Sequence, residues 1–271
     1  MADAFSSMTP AAGARTPLLF VTGASSGIGQ ALADRFYRAG YSLALVARRT
    51  GEVEAWAAAQ GLAPDRFRIY RADVADIDAI VGAGAACIAQ QGLPDVVIAN
   101  AGISIGMDTA QRADLDVMAR IFAINNTGLA ATFHPFVAAM SARGSGRLVG
   151  IASVSAIRGL PGHGAYSASK AGVVAYCESL RVELHASGVR VVTLLPGYVD
   201  TPLTRGNRYS MPFLLPSEVF AERAFRAIEA GISYRVIPWQ MGLVAKLLRL
   251  LPNRLYDRAM RGRGRKKREG E

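Results

Sequence analysis

A serine, a tyrosine and a lysine stand at spacings that suit proton transfer to a carbonyl oxygen. Ser153 lies thirteen residues before Tyr166, and Lys170 lies four residues after it. Residues four apart on a helix share one face, so a Lys170 ammonium would stabilise the Tyr166 phenolate and lower a pKa that is ordinarily about 10. Tyr166 is therefore a candidate proton donor, and the Ser153 hydroxyl a candidate partner of the substrate oxygen. The alternative for Tyr166 and Lys170 is a coincidental pair on an amphipathic helix, and the alternative for Ser153 is an ordinary serine in a turn. Ser155 is a second candidate for the role of Ser153.

A glycine-rich segment near the start of the chain could hold a dinucleotide. It follows the apolar run 18–21, and its candidate cofactor contacts are Gly23, Ser25, Ser26, Gly27, Ile28 and Gly29. Glycines allow a tight strand-to-helix turn and a close approach of the backbone to a pyrophosphate, which the helix N-terminus attracts. The spacing G-x-x-x-G-x-G differs from the commoner G-x-G-x-x-G, and an ordinary glycine-rich turn is the alternative. Because carbonyl reduction needs both a hydride carrier and a proton donor, the two groups together indicate an oxidoreductase.

The end of the second apolar run indicates which dinucleotide is bound. Enzymes that use NAD carry an Asp or Glu there, which accepts hydrogen bonds from the ribose 2′-hydroxyl. This chain has Ala47-Arg48-Arg49 instead. Guanidinium groups attract a 2′-phosphate and a carboxylate repels it, so the sequence predicts NADP(H) in preference to NAD(H). The alternative is that Arg48 and Arg49 are solvated loop charges.

The apolar pattern predicts the scaffold that positions these residues. Strands are expected at 18–21, 43–47, 67–70, 96–99, 147–151, 189–195 and 234–237. Helices are expected at 26–39, 52–60, 76–91, 111–142 and 164–187, with an N-capped helix from Ser217 to Ala230. This alternation predicts a single-domain, Rossmann-like α/β fold, a doubly wound parallel sheet with helices on both faces. Ser153 would then follow the fifth strand, at the carboxyl edge where such sheets bind ligands.

Composition narrows the class of protein. The 271 residues are 51% hydrophobic with a mean hydropathy of +0.21, enough apolar material for a large core. Cys87 and Cys177 cannot form a disulfide framework and no residue cluster suggests a metal, so we expect buried cysteines in a reducing compartment.

Residues 1–16 lack an apolar signal-peptide core and are interpreted as a disordered leader. No run reaches the about 18 apolar residues of a membrane span, so the expected location is cytoplasmic, with peripheral membrane contact an option.

The basic charge is concentrated in residues 241–271, which are expected to extend a catalytic domain at 17–240. From Lys246 onward ten Lys and Arg stand against three acids, which supplies +7 of the net charge of +10. The apolar stretch 242–251 carries Lys246 and Arg249, so a short helix lying on an anionic membrane is one interpretation. A helix packed on the domain and followed by a disordered tail is the other. Nucleic-acid binding is not expected, because no aromatic residue interleaves the final basic run.

Taken in order along residues 17–240, these motifs resemble those of the short-chain dehydrogenase/reductase family. The resemblance rests on TGASSGIG at 22–29, on Asn100-Ala101-Gly102, and on Ser153, Tyr166 and Lys170. It implies that the Asn-Ala-Gly motif steadies the central sheet beside the cofactor. Further matching positions are Asp73 with Val74 at the adenine, Asn125 rather than Asn126 as a water-holding asparagine, and Pro196, Gly197, Val199 and Thr201 at the nicotinamide.

The resemblance implies an NADPH-dependent carbonyl reductase, or the reverse reaction. Hydride would pass from the nicotinamide to the carbonyl carbon while Tyr166 protonates the oxygen that Ser153 orients. Lys170 would lower the tyrosine pKa and bind the nicotinamide ribose together with Tyr166, and Asn125 would connect Lys170 to solvent through a water. Family members are usually homodimers or homotetramers packed through two long helices, here the predicted ones at 111–142 and 164–187. Apolar residues that suit either such an interface or the core are Ile121, Phe122, Val173, Val174 and Leu180.

Substrate choice is expected to depend on residues 202–216 and on the C-terminal segment. Met211, Phe213, Leu214 and Leu215 indicate either an apolar carbonyl substrate beneath a lid or a loop packed onto the domain. Two competing functions remain open at this level. One is a membrane-peripheral reductase of a lipid or steroid ketone, and the other is a non-catalytic NADP(H)-binding sensor or partner protein.

Overall fold

The computed structural model describes residues 15–207 and 210–271, and its centre is one parallel sheet. The strands are β1 (Leu18–Thr22), β2 (Ser42–Ala47), β3 (Phe67–Arg71), β4 (Val96–Ala99), β5 (Gly146–Ile151), β6 (Val189–Pro196) and β7 (Tyr234–Ile237). They are ordered β3-β2-β1-β4-β5-β6-β7, with every neighbouring pair parallel. The chain direction across the sheet reverses between β1 and β4, the point at which doubly wound sheets bind ligands.

Helices alternate with these strands and cover both faces of the sheet. They are α1 (Gly27–Arg38), α2 (Thr50–Ala59), α3 (Ile77–Gln91), α4 (Ala113–Phe122), α5 (Gly128–Arg143), α6 (Gly164–Glu183), α7 (Pro202–Arg205), α8 (Ser217–Glu229), α9 (Trp239–Leu250) and α10 (Asn253–Met260). The predicted doubly wound α/β fold is confirmed.

Side chains of the buried strands point alternately into two cores. In β1, Leu18 and Phe20 belong to the core formed with α3, α5 and α6, whereas Leu19 and Val21 belong to the core formed with α1, α2 and α8. Every residue of β1 is buried. A strand covered on both faces carries no polar alternation, and this is why the sequence shows continuous apolar runs.

The helix expected at 111–142 is interrupted in its middle. α4 ends at Phe122, a π-helical turn occupies Ala123–Thr127, and α5 begins at Gly128. A π turn inserts an extra residue into the helical hydrogen-bond ladder, which the 3.6-residue spacing of apolar side chains does not reveal. Asn125, singled out from the sequence, lies in this turn.

Two further helix predictions need correction. Ser217 is the first residue of α8 rather than its cap, because Pro216 occupies the N-cap position and the Ser217 hydroxyl donates to Glu218 Oε1 at 2.9 Å. The helix expected at 164–187 ends at Glu183, and a short 3-10 turn over His185–Ser187 precedes β6.

Several predicted buried residues are found in the interior. Cys87 on α3 and Cys177 on α6 are both buried free thiols, as predicted. Ile121, Val173 and Leu180 are buried within this chain, which places them in its core rather than on a surface that a second copy could reach.

The chain after α9 folds back onto the domain. Residues 263–269, which we call the C-terminal strap, cross the segment between β4 and α4. The Gly106 N–H donates to the Lys267 carbonyl at 2.8 Å, and Arg268 Nε donates to the buried Asp114 carboxylate at 2.7 Å. Arg120 donates to both carboxylate oxygens of Glu269. The alternative of a disordered tail is therefore wrong for this segment.

Residues 1–14 of the predicted leader lie outside the described residues, and Arg15 pairs with Asp95 at 2.7 Å. Residues 208 and 209 of the predicted lid also lie outside them. Among the helices in the described ranges, none combines the length and apolar character needed to cross a bilayer.

Candidate active site

A cleft of about 450 Å³ lies beyond the carboxyl ends of the central strands, within the usual size range of ligand sites. It brings together nearly all the residues predicted from the sequence. They are Gly23, Ser25, Ser26, Gly27, Ile28, Arg48, Arg49, Asp73, Val74, Asn100, Ala101, Gly102, Ser153, Tyr166, Lys170, Pro196, Gly197, Val199 and Thr201. Gly29 and Asn125 are the predicted site residues that do not line it.

The glycine turn between β1 and α1 has the shape that a pyrophosphate requires. Gly23 and Gly27 have φ of +71° and +58°, a backbone conformation that favours glycine. The Ser26 side chain makes no capping hydrogen bond, so the N–H groups of the first turn of α1 are left for a ligand. Gly29 serves packing instead, since a Cβ on it would lie 2.3 Å from the Gly23 carbonyl oxygen. The residues present fit a dinucleotide.

The Asn100 side chain ties β1 to β4 beside this turn. Its Nδ2 donates to the Thr22 carbonyl at 2.9 Å, while Thr22 Oγ1 accepts from the N–H groups of Asn100 and Ala101, both at 3.1 Å. These bonds fix the two strands between which the sheet reverses. The sequence analysis did not predict these contacts of the Thr22 side chain. Its position directly before Gly23 was the sequence feature that could have indicated them.

Two arginines lie where the second strand enters the cleft. Arg48 Nη1 is 3.2 Å from Asp73 Oδ2, and Arg49 approaches Ser25 Oγ at 3.4 Å and Glu52 at 3.3 Å. These side chains are largely exposed, and exposed ion pairs contribute little free energy. Both guanidinium groups can therefore turn toward an anionic ligand with little loss of free energy.

Ser153 and Tyr166 both line the other end of the cleft. Burial raises the pKa of Tyr166, and the hydrogen bond with Ser153 opposes that rise. Ser155 does not line the cleft, and its buried Oγ has no hydrogen-bond partner among the described residues. Its backbone N–H donates to Ser153 Oγ at 3.2 Å. The geometry therefore selects Ser153 over Ser155.

Lys170 is buried beneath the tyrosine. Its Nζ lies 5.9 Å from the centre of the Tyr166 ring and donates to the Ile151 carbonyl at 2.8 Å. Burial lowers the pKa of Lys170 to about 8. Ser153 opposes the effect of burial on the pKa of Tyr166, and the expected lowering of that pKa by Lys170 stays a prediction.

Asn125 lies behind the cleft wall, next to Lys170. A Cβ on Gly102 would be 3.1 Å from Asn125 Oδ1 and 3.3 Å from Lys170 Nζ. The Asn125 side chain exchanges hydrogen bonds with the backbone of Ile103 and donates to Ser169 Oγ at 2.9 Å. Both amide hydrogens are thus used within the protein. This side chain braces the end of β4 against α6, and its role in holding a water stays a prediction.

Other residues of the site were missed by sequence reasoning. Ile103, Ile124, Ile151 and Ala152 also line the cleft, whereas Pro202, Leu203 and Thr204, which line it too, belong to the segment 202–216 expected to influence substrate choice. His163 lies at the N-cap of α6 with its ring 6.4 Å from the Tyr166 ring. Burial, followed by the charges of Lys266 and Arg263, lowers the pKa of His163 to about 4. His163 lies about a hundred residues before the strap in the sequence, so no sequence spacing indicates that strap charges act on it. The fold brings them together and keeps the imidazole neutral.

Comparison with known proteins decides the family. The family model for short chain dehydrogenases matches residues 18–211. The chain belongs to the short-chain dehydrogenase family. It is 38% identical over 244 residues to an uncharacterised oxidoreductase of Myxococcus xanthus, which covers 89% of this chain and 95% of that protein.

Two similar solved structures carry nicotinamide cofactors. A 3-ketoacyl-(acyl-carrier-protein) reductase from Brucella melitensis, complexed with NADH, aligns with a TM-score of 0.73, 26% identity and coverage of 81% of this chain and 94% of its own. An alcohol dehydrogenase from Thermococcus sibiricus, complexed with 5-hydroxy-NADP, aligns with a TM-score of 0.72, 26% identity and coverage of 82% and 96%. The protein is therefore an NAD(P)-dependent oxidoreductase that acts on alcohol or carbonyl groups.

Proposed function

We propose that this short-chain dehydrogenase reduces a ketone or aldehyde to an alcohol, with NADPH as hydride donor and Tyr166 as proton donor. The observation that carries the proposal is the convergence of Ser153, Tyr166 and Lys170 on the cleft that also holds the glycine turn. A hydride carrier and a proton donor must face the same carbonyl group, and this cleft offers a place for each. The same residues would serve the reverse oxidation.

Each part of the chain has a distinct task in this reaction. The N-terminus of α1 binds the pyrophosphate, and Pro196, Gly197, Val199 and Thr201 receive the nicotinamide end. Bound NADPH supplies the hydride. Ser153 donates a hydrogen bond that holds the substrate oxygen, and Tyr166 donates its hydroxyl proton to that oxygen as negative charge develops there. The buried Lys170 ammonium stabilises the phenolate that remains.

The preference for NADPH rests on Arg48 and Arg49. Both line the cleft, and no acidic side chain occupies the end of β2. Similar solved structures are complexed with either type of cofactor, so family membership leaves the choice open. Two guanidinium groups favour a 2′-phosphate, which is the basis for preferring NADPH here.

Tyr166→Phe tests the proposed reaction directly. With NADPH and a panel of ketones and aldehydes, we expect the variant to bind NADPH as the wild type does but to turn over about a hundredfold to ten-thousandfold more slowly, since it lacks the proton donor. Tyr176→Phe is the matched control, because Tyr176 lies on the same helix outside the cleft. Unchanged turnover in Tyr166→Phe would contradict the proposal, and NADPH binding without turnover across the panel would favour the non-catalytic sensor.

A membrane-peripheral reductase of a hydrophobic ketone is the second candidate, and the surface of α9 favours it. Trp239, Leu243, Leu247 and Leu250 follow one side of this helix and are exposed, with Leu250 at 80%. The basic residues Lys246 and Arg249 are exposed beside them. An apolar stripe flanked by cations suits the surface of an anionic bilayer. The loop before α8 adds exposed Phe213 and Leu214, whereas Leu215 packs into the core.

We also propose that the protein forms a homodimer or homotetramer. The five residues considered from the sequence do not carry this idea, since three of them are buried in the core. Exposed apolar side chains on the same two helices support it better. These are Leu115 on α4 and Tyr176 and Val182 on α6.

A further inference from the structure

The C-terminal strap carries five cations, and two of them, Arg265 and Arg268, have acidic partners among the described residues. Arg268 holds the buried Asp114 through two hydrogen bonds, at 2.7 and 3.1 Å, and Arg265 lies 3.9 Å from Asp108. Lys266 differs from these arginines, because it forms no ion pair with any described residue. Its Nζ donates to two neutral oxygens instead, Asn207 Oδ1 at 2.7 Å and the Leu203 carbonyl at 3.3 Å.

Lys266 contacts one wall of the cleft. Leu203, whose carbonyl it contacts, lines the cleft on α7. The strap also packs against the turn before α6, where a Cβ on Gly162 would lie 3.2 Å from the Lys266 backbone nitrogen. Lys266 is half-buried, and burial lowers its pKa. A cation that has lost part of its hydration and contacts only neutral acceptors gains more from an incoming anion than a fully solvated cation does.

The Lys266 charge acts close to the catalytic tyrosine. His163 follows Gly162, and its ring is 6.4 Å from the Tyr166 ring. The positive charge of Lys266 contributes to the lowered pKa of His163, so the two side chains lie within electrostatic reach of each other. Arg263 is a second cation that lowers the pKa of His163. A negative group bound beside His163 would be attracted by both positive charges.

We propose that Lys266 anchors an anion-binding subsite for the substrate, which receives a carboxylate or similar anionic group remote from the reacting carbonyl. This inference rests on the proposed reductase function and narrows its substrate class to anionic oxo compounds. Asn207 and the Leu203 carbonyl hold the ammonium in place, and the Arg268–Asp114 pair fixes the strap that carries it. Lys266 is then a specificity-determining residue from the C-terminal extension.

Direct binding tests the subsite without depending on turnover. NADPH-loaded protein is titrated calorimetrically with cyclohexanecarboxylate and with cyclohexanecarboxamide, which have nearly the same shape and differ in charge. We expect the wild type to prefer the carboxylate by about tenfold or more, the usual gain of a charge-assisted hydrogen bond. Lys266→Met should remove this preference while leaving the weak binding of the amide unchanged.

Two further variants separate charge from structure. Lys267→Met is the matched control, because Lys267 is the adjacent lysine and its side chain is exposed. It should keep the preference. Asn207→Asp retains Lys266 and the strap but places a carboxylate beside the ammonium. It should remove the preference as Lys266→Met does.

The outcomes are distinguishable. A wild type without a preference for the carboxylate, or a preference that survives in Lys266→Met, would overturn the subsite. Loss of the preference in Lys267→Met as well would overturn its assignment to Lys266. The expected pattern supports the subsite even where no ketone is turned over, in which case the absence of turnover counts against the reductase function alone.

Discussion

Individual residues in the cleft are tuned by their surroundings as well as by their chemical type. Lys170 is a lysine at the expected spacing, but burial is what lowers its pKa to about 8. The Ile151 carbonyl holds the ammonium in place. Lys170 therefore titrates in a pH range in which a solvated lysine would remain fully charged.

The pH dependence of the reduction follows from this pKa. As the pH rises through about 8, Lys170 in the free enzyme loses its proton, and the positive charge that stabilises the Tyr166 phenolate is lost. We expect kcat/KM for NADPH-dependent reduction to fall above that pH, by up to about tenfold per pH unit. The measurement is a pH profile of kcat/KM at fixed ionic strength.

Lys170→Arg is the control for this profile, because an arginine stays charged throughout the range. Whatever activity the variant retains should show no decline near pH 8. A wild-type profile that stays flat from neutral pH to about pH 10, where a solvated lysine titrates, would contradict the assigned role of Lys170.

At the residue level, the sequence was sufficient to predict which side chains belong to the site, but not which hydrogen bonds they form. Ser153, Tyr166 and Lys170 were recognisable because their spacing is tied to helix and strand geometry. The packing of Gly29 against Gly23 and Asn100 was not recognisable, nor were the hydrogen bonds of Asn125 to Ile103 and Ser169. Those partners are set by how β1, β4 and α6 meet in space.

Among the secondary-structure elements, α9 has the surface that is hardest to explain in an isolated molecule. Helices of soluble domains usually turn their apolar stripe toward the core. In α9, Met241 and Ala245 are buried while Leu243 and Leu247 are exposed. The exposed stripe therefore needs an explanation beyond the packing of this chain, and the proposed membrane surface supplies one.

Vesicle binding tests the role of α9. We expect the protein to cosediment with phosphatidylserine vesicles at low salt, and Leu247→Glu to weaken that binding by about tenfold, because it removes apolar area and adds a negative charge. Ile77→Glu is the matched control, since Ile77 is also an exposed apolar residue, 51% exposed at the start of α3. Equal binding by both variants, or no cosedimentation of the wild type, would contradict a membrane role for α9.

Secondary-structure elements were predicted correctly where one continuous run of residues is buried. They were missed where contacts between residues far apart in the sequence determine the structure. The strands were found because they are covered on both faces and read as continuous apolar runs. The strap was not, because its anchor is an ion pair between Arg268 and Asp114, 154 residues apart. The π turn at Ala123–Thr127 has no distinctive apolar spacing of its own.

In the whole molecule, sheet topology explains why residues scattered through the sequence form one site. The reversal of strand order beside β1 and β4 brings the glycine turn, the Asn-Ala-Gly segment and the end of β5 to one edge. Strand–helix alternation was sufficient to predict this arrangement. We expect substrate choice to depend on α7 and the strap, and strand–helix alternation does not determine where either of them lies.

We propose that this cleft binds NADPH, and fluorescence titration of the wild type and Arg48→Asp with NADPH and NADH tests that binding. Arg112→Asp, at an exposed arginine outside the cleft, serves as control. We predict tighter binding of NADPH than of NADH by the wild type and by the control. In Arg48→Asp this preference should fall about tenfold to a hundredfold, since a charge-assisted contact to the 2′-phosphate is replaced by repulsion. Failure of the wild type to bind either nucleotide would contradict the account.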